Sequence, residues 1–327
     1  MRIDAMHHYG ITKEFRHAGF YETEVHKRLL KEIKTSIRAG RLIAISGMVG
    51  SGKTAMLRRL QENLTKDGKI IVCRSLYVEK HKVQLASLIT ALFCDLSPLT
   101  KDVRIPFHGE RRERELRDLI KHCRRSVALF VDEAHDLPKE TLKGIKRLIE
   151  IVQDSSGSGS LAVVLAGHPK LKNDLSRGTM EEIGCRTEIF SLDGAIDSRR
   201  EYIEWLLNEC SLDDVAPHQI FEPESIDLLA ERLTTPLQIE QHLNLALEAG
   251  HEADEKPVTA SLVESILSKS LSDWESTLTR HGYDHRSLAG LLKVPQGEIR
   301  QLFSGELEPS RTKELHDKLL VVGLPVQ

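Results

Sequence analysis

The run Gly47-Met48-Val49-Gly50-Ser51-Gly52-Lys53-Thr54 fits the pattern G-x-x-x-x-G-K-[ST] without a mismatch. Glycines at these positions let successive backbone N–H groups wrap a pair of phosphates, and a helix starting at the lysine turns its positive end toward them. Lys53 is placed to reach the β- and γ-phosphates, and Thr54 to offer a hydroxyl to Mg²⁺. A chance glycine-rich turn between strand and helix is the plain alternative. The flanks argue against it: apolar Leu42 to Ile45 precede the run, and Leu57, Leu60 and Leu64 follow at helical spacing.

A second constellation is Asp132-Glu133-Ala134-His135 after the apolar run Val127 to Val131. Carboxylates just past the C-terminal end of a buried strand lie where open α/β sheets bind ligands. Asp132 is then the residue for the Mg²⁺ shell, and Glu133 the one that polarises an attacking water. Two exposed acids opening an ordinary loop are the bland reading. Glu133 is what separates hydrolysis from passive binding.

Such residues need a scaffold, and the chain supplies a βα alternation. Short apolar runs at 42–45, 69–73, 127–131 and 161–165 read as buried parallel strands, with a last core strand at 187–190. Leu142, Ile145, Leu148, Ile149 and Val152 mark the apolar face of one intervening helix. The tract 155–160, rich in Gly and Ser, reads as a loop inside this alternation. Beyond about 195 the strand signals cease. Ser198-x-x-Glu201 predicts a capped helix to about Cys210, followed by helices near 223–233, 236–249 with Gly250 as its stop, and 260–271. The expected domains are an α/β core with an N-terminal extension over 1–194, a small helical lid over 195–279, and a helix-turn-helix-like module over 280–327.

About 40% of the residues are apolar and 29% charged, the profile of a globular protein with a real core. No apolar run is long enough for a membrane span, and the N-terminus lacks a signal-peptide pattern. Five scattered cysteines without a C-x-x-C pair argue against a disulfide framework or a zinc site, and predict a cytoplasmic protein. The net charge of −3 excludes a bulk polycation but not a local basic stripe.

With both motifs in hand, the chain resembles the AAA+ ATPases over about residues 9–250. Within them it is similar to the bacterial branch of ExeA-type proteins and the transposition regulators TnsC, TniB and Mu B. Tyr9-Gly10, Glu14-Phe15, Leu165-Ala166-Gly167-His168-Pro169-Lys170-Leu171 and Thr235-Pro236-Leu237-Gln238-Ile239 carry the narrower likeness. The resemblance implies a parallel-sheet core that holds ATP and Mg²⁺ between the protomers of a ring or filament. It implies nucleotide contacts from Gly47, Val49, Gly50, Ser51, Gly52, Lys53, Thr54 and Ala55, with Phe20 and Tyr21 beside the adenine. His168 takes the polar sensor position near the γ-phosphate, or is simply a turn histidine. An arginine from the neighbouring protomer completes the site, with Arg186 favoured over Arg177. One departure stands out. Leu237 and Gln238 occupy the lid positions where ExeA-like relatives carry arginine, and a neutral side chain cannot replace guanidinium. Slow hydrolysis suited to a switch is the expected consequence.

The implied function is ATP-dependent oligomerisation on duplex DNA, without sequence preference, to recruit or activate a transposase, with a target-selection protein as a further partner and no membrane involvement. An ExeA-like secretion ATPase and a protein-binding signalling switch are the competing readings. Three segments are candidates for DNA contact: Lys139, Lys143, Lys146 and Arg147; Lys80, Lys82, Lys101 and Arg104; and the tail 287–300. The mixed run Glu110 to Glu115 is more simply a solvated helix face. Residues 280–318 hold seven Lys/Arg against six Asp/Glu. That balance favours protein docking over phosphate gripping for the tail.

Overall fold

The computed structural model describes residues 1–75, 83–97, 105–106, 108–153, 159–176, 180–270, 278–279, 281–304, 307, 311, 314–315 and 318–319. The chain divides into two compact units. One comprises residues 24–47 and 53–195, the other residues 1–23, 48–52 and 196–327.

The first unit is built on five parallel strands: β1 (Leu42–Ser46), β2 (Ile70–Arg74), β3 (Ser126–Val131), β4 (Leu161–Gly167) and β5 (Thr187–Ser191). Their order is β2-β3-β4-β1-β5. Every residue of β1 and β4 is buried, which is why both read as unbroken apolar runs. β5, at the sheet edge, is only half-buried. Register places Ser46 beside Gly167 and Val131 beside Leu165. The loops leaving β1, β3 and β4 therefore emerge together at one end of the sheet. That is the crevice where ligands bind in open parallel sheets.

Helices flank the sheet in this unit. On the helix Lys139–Gln153 the buried positions include Leu142, Ile145, Leu148, Ile149 and Val152, the apolar face that the sequence predicts. Its Thr141 hydroxyl donates to the carbonyl of Val83 at 2.7 Å. The helix Gly109–His122 contains the mixed-charge run, with Arg111 paired to Glu115 one turn on, as a solvated face should be.

The second unit is helical. Residues 1–23, although first in sequence, pack into its core: Tyr9, Ile11 and Phe15 lie among Tyr202, Ile203, Leu206, Leu207, Phe221 and Leu243. Ser198 caps the helix Arg199–Cys210 by accepting from the Glu201 amide at 3.2 Å, as the sequence predicts. The helix expected to stop at Gly250 instead runs Pro236–Glu252. Gly250 lies within it because a Cβ there would collide with the Tyr9 hydroxyl, which donates to the Glu255 carbonyl at 2.5 Å. Close packing, not helix termination, requires that glycine.

Residues 278–319 enclose a small apolar core of Leu278, Tyr283, Leu288, Leu292, Ile299, Leu302, Leu315 and Leu319. Two helices in this segment, His285–Leu292 and Gln296–Ser304, are joined by Lys293-Val294-Pro295. Leu320, Gly305 and Pro309 lie outside the described residues.

Candidate nucleotide site

The loop after β1 leads into the helix Lys53–Asp67. Gly50 and Gly52 have φ of +80° and +87°, the left-handed region that a side chain disfavours. Around Gly52 the space for a Cβ is open. The Lys53 ammonium donates to the Gly47 carbonyl at 2.7 Å. Burial pushes its pKa below the ordinary lysine value, against the pull of Asp132, Asp193 and Glu133. A desolvated cation of this kind gains strongly from an anion placed beside it. The Ser51 hydroxyl is buried with no hydrogen-bond partner. Such an orphan fits a cradle whose acceptor is a phosphate oxygen. Val49 lies half-buried in the loop, and Ala55 is exposed on the first turn of the helix.

The Thr54 hydroxyl donates to Asp132 at 2.8 Å, so the end of β3 and the start of the helix after β1 share one polar contact. A hydroxyl and a carboxylate so placed suit the shell of a hard cation such as Mg²⁺. The other Asp132 oxygen accepts from the Glu133 amide at 2.9 Å. Glu133 itself has φ 53° and ψ 39°, a left-handed conformation that costs a non-glycine residue about 1 kcal/mol. Its carboxylate is exposed. The strained turn directs the chain into a short 3₁₀ helix, Ala134–Asp136, immediately after the acid. Nothing in the residue pattern announces that backbone state.

His168 stands at the N-terminus of the helix Pro169–Leu175, just beyond β4. Its ring stacks on His135, with centroids 3.7 Å apart and planes 19° from parallel. His135 was legible only as the last letter of the Asp-Glu-Ala-His run, and it is the neighbour that orients the predicted sensor residue. Burial lowers its pKa, opposed by Asp136, and Lys170 lowers it further.

Arg186, next to the first residue of β5, pairs with Glu150 and remains largely exposed. Ser46 and Ser191 are register partners at the loop end of the sheet, whereas Leu42 and Thr187 are partners at the other. Arg186 is thus separated from its own phosphate loop by the length of β5, about 16 Å at ~3.3 Å per residue. Arg177 lies outside the described residues. Tyr21 packs in the helical unit against Tyr202 and Trp205, with centroids 5.4 and 5.1 Å away, and Phe20 is half-buried. Gln238 is committed to a helix cap: its side-chain oxygen accepts from the Thr234 and Thr235 amides, each at 3.1 Å. Leu237 is exposed.

Three of the four cations on the basic face proposed for DNA contact pair with carboxylates of the same unit, whereas Lys139 is exposed. Lys143 pairs with Glu140, Lys146 with Glu150 and Glu182, and Arg147 with Glu113. Lys80, Lys82, Lys101 and Arg104 lie outside the described residues.

Residues 37–175 match the family model of an AAA domain. Among solved structures, the chain is similar to the ORC2 protein of Aeropyrum pernix in its ADPNP and ADP complexes, with 13% identity and a TM-score of 0.56 over 96% of this chain and 91% of that one. It is also similar to Drosophila ORC bound to DNA, at 15% identity and a TM-score of 0.54 over 97% and 84%. Cdc6p of Pyrobaculum aerophilum gives 17% identity and a TM-score of 0.50 over 96% and 91%. These likenesses establish an AAA+ P-loop core with a mostly helical C-terminal region. No curated protein matches the sequence. Among the described residues, no helix is long and apolar enough to cross a membrane.

Proposed function

From an AAA domain on an AAA+ core, we propose that the protein is an ATPase that assembles on duplex DNA as a regulator of transposition. The observation that carries the nucleotide half of this reading is the contact of Thr54 with Asp132 beside Lys53, whose ammonium is held on the Gly47 carbonyl at the end of β1. Lys53 and the loop amides hold the phosphates, Thr54 and Asp132 hold Mg²⁺, and Glu133 orients the water. Mg²⁺ supplies charge neutralisation across the phosphates when bound. Arg186 lies too far from its own loop to serve that site, which supports its acting on the nucleotide of a neighbouring protomer.

The DNA half rests on the resemblance to transposition regulators and on the DNA carried by the Drosophila ORC structure. With Gln238 held in its cap, the lid offers no guanidinium at positions 237–238, and slow turnover follows. ATP thus favours assembly, and hydrolysis, triggered by the transposase, favours release. The test is to image the protein with a random duplex and a slowly hydrolysed ATP analogue. Ordered, salt-sensitive assemblies that require both components support the reading. Nucleotide-dependent assembly that ignores DNA overturns the DNA half alone.

A further inference from the structure

We propose that the first unit carries a docking surface for the sugar–phosphate backbone of duplex DNA, formed where the chain enters β2 and β3. The inference rests on the DNA half of the proposed function and gives it a site outside all three segments drawn from the sequence. In a parallel sheet every strand begins at the same end, and Ile70 and Ser126, the first residues of β2 and β3, are register partners there. The connections leading into them are basic. Lys66 and Lys69 flank the end of the helix Lys53–Asp67, while Lys121, Arg124 and Arg125 surround the end of the helix Gly109–His122. Arg125 donates to the Gly68 carbonyl at 3.1 Å, which ties the two connections together. Arg38 ends the helix Glu24–Arg38, whose Lys34 donates to Asp67 at 3.0 Å. That hydrogen bond, with the charges of Lys34, Arg38 and Lys69, holds the Asp67 carboxyl below its ordinary pKa, so three cations stand about one acid.

Charge pairing sets this half of the sheet end apart from the other. Toward β5, Arg41 pairs with Glu188, Arg186 with Glu150 and Lys146 with Glu182. Toward β2 the nearby acids are already engaged: Asp67 by Lys34, Asp118 by Arg117, and Glu62 by Arg59 at 4.0 Å. Arg38, Lys66, Lys69, Lys121 and Arg124 form no ion pair among the described residues. Glu79, Asp102 and Asp154, the acids of this unit that lie outside the described residues, are fewer than these five cations. Arg124 also has φ 49°, the left-handed region where glycine is the ordinary resident after a helix. The exposed large apolar residues among those described are Ile3, Ile105, Leu212, Leu237 and Leu245, and none belongs to this surface. Protein interfaces and membrane-surface helices are built around apolar contact, whereas interfaces with DNA are polar and cationic. Cations drawn from three separate connections are spread out, which suits a duplex with a charge about every 1.7 Å of its axis better than one small anion. Contacts of this kind position a duplex without reading its sequence.

The experiment measures binding of the full-length protein to a random-sequence duplex across a salt series, with a slowly hydrolysed ATP analogue present. Wild-type affinity should fall steeply as salt rises. The triple variant K66A/K69A/R124G should bind at least tenfold more weakly at low salt. It should also lose about two to three units of the log–log salt slope, at roughly 0.9 per phosphate contact. Its DNA-free ATPase rate should match wild type. Arg124→Gly alone relieves the left-handed strain, so its thermal midpoint should hold or rise while duplex affinity falls. A merely structural arginine would not separate the two. Wild-type affinity and slope in the triple variant, with the wild type itself binding, overturn this site and leave the DNA reading standing. No salt-sensitive duplex binding by the wild type overturns both. Unchanged duplex binding with lost binding to phosphatidylglycerol vesicles assigns the surface to an anionic bilayer and overturns the proposal.

Discussion

The imidazoles of His135 and His168 are stacked at 3.7 Å, one following the carboxylate loop of β3 and the other ending β4. Gly167 permits this approach, since a Cβ there would sit 3.1 Å from the His135 amide nitrogen. The pair ties the strained turn at Glu133 to the start of the helix Pro169–Leu175. Because burial holds the His135 pKa below its ordinary value, the folded state favours the neutral ring. The unfolded chain takes up this proton at about pH 6.5, before the folded one does. Stability should therefore be level above that pH and fall as acid is added toward the lowered folded value. Urea unfolding at a series of pH values should show the decline, and His135→Phe should flatten it. An identical pH profile in the variant would discount His135.

Lys53→Ala removes the loop's own ammonium, and ATP binding should fall beyond detection in direct calorimetry. Glu133→Gln leaves the phosphate contacts but cannot polarise water, so ATP should bind normally while turnover drops by at least a hundredfold. Wild-type turnover in Glu133→Gln would assign the water to another residue.

Gly50 is constrained twice. Its φ of +80° disfavours a side chain, and a Cβ would collide with Cβ of Leu237, whose amide donates to the Gly50 carbonyl at 3.3 Å. Gly50→Ala should weaken nucleotide affinity at least tenfold. Adding Leu237→Gly relieves the collision but not the φ strain, so recovery should be partial. Full affinity in Gly50→Ala alone would mean that the loop tolerates a different path.

Arg186→Ala should leave folding and nucleotide binding intact, because the arginine lies at the opposite end of β5 from the loop. It should lower ATPase activity and ATP-dependent assembly, on the scale of roughly 10³ or more that a supplied arginine contributes. Mixing it with Lys53→Ala protein should restore part of the rate. Absence of rescue, with Arg177→Ala showing the deficit, would transfer the role to Arg177.

Gly250→Ala would stabilise an ordinary helix by about 1 kcal/mol. Here the new methyl meets the Tyr9 hydroxyl, so chemical denaturation should show a loss of stability instead. In a Tyr9→Phe background the hydroxyl is gone but Val258 Cγ2 still lies 3.0 Å from the new methyl, so Gly250→Ala should cost less than it does in the wild type. The double-mutant cycle reads the collision directly.

The sequence by itself determined the phosphate loop, the Asp132 and Glu133 pair and the strands that position them. Their signals are local: glycines where φ must be positive, apolar runs where both sheet faces are covered, and a lysine at a helix start. The charged face of the helix Lys139–Gln153 was legible too, but not its partners, because Glu113 and Glu182 approach it only in the fold. Gly250 read as a helix stop since nothing near it in sequence reveals Tyr9, which lies far back in the chain. The stacking of His135 on His168 and the left-handed turn at Glu133 were likewise decided by tertiary structure. So was the pairing of Glu298 with Arg311, thirteen residues apart in the chain. Local pattern fixes which backbone states are affordable, and long-range packing decides which side chains meet, because contacts between distant residues leave no trace in spacing.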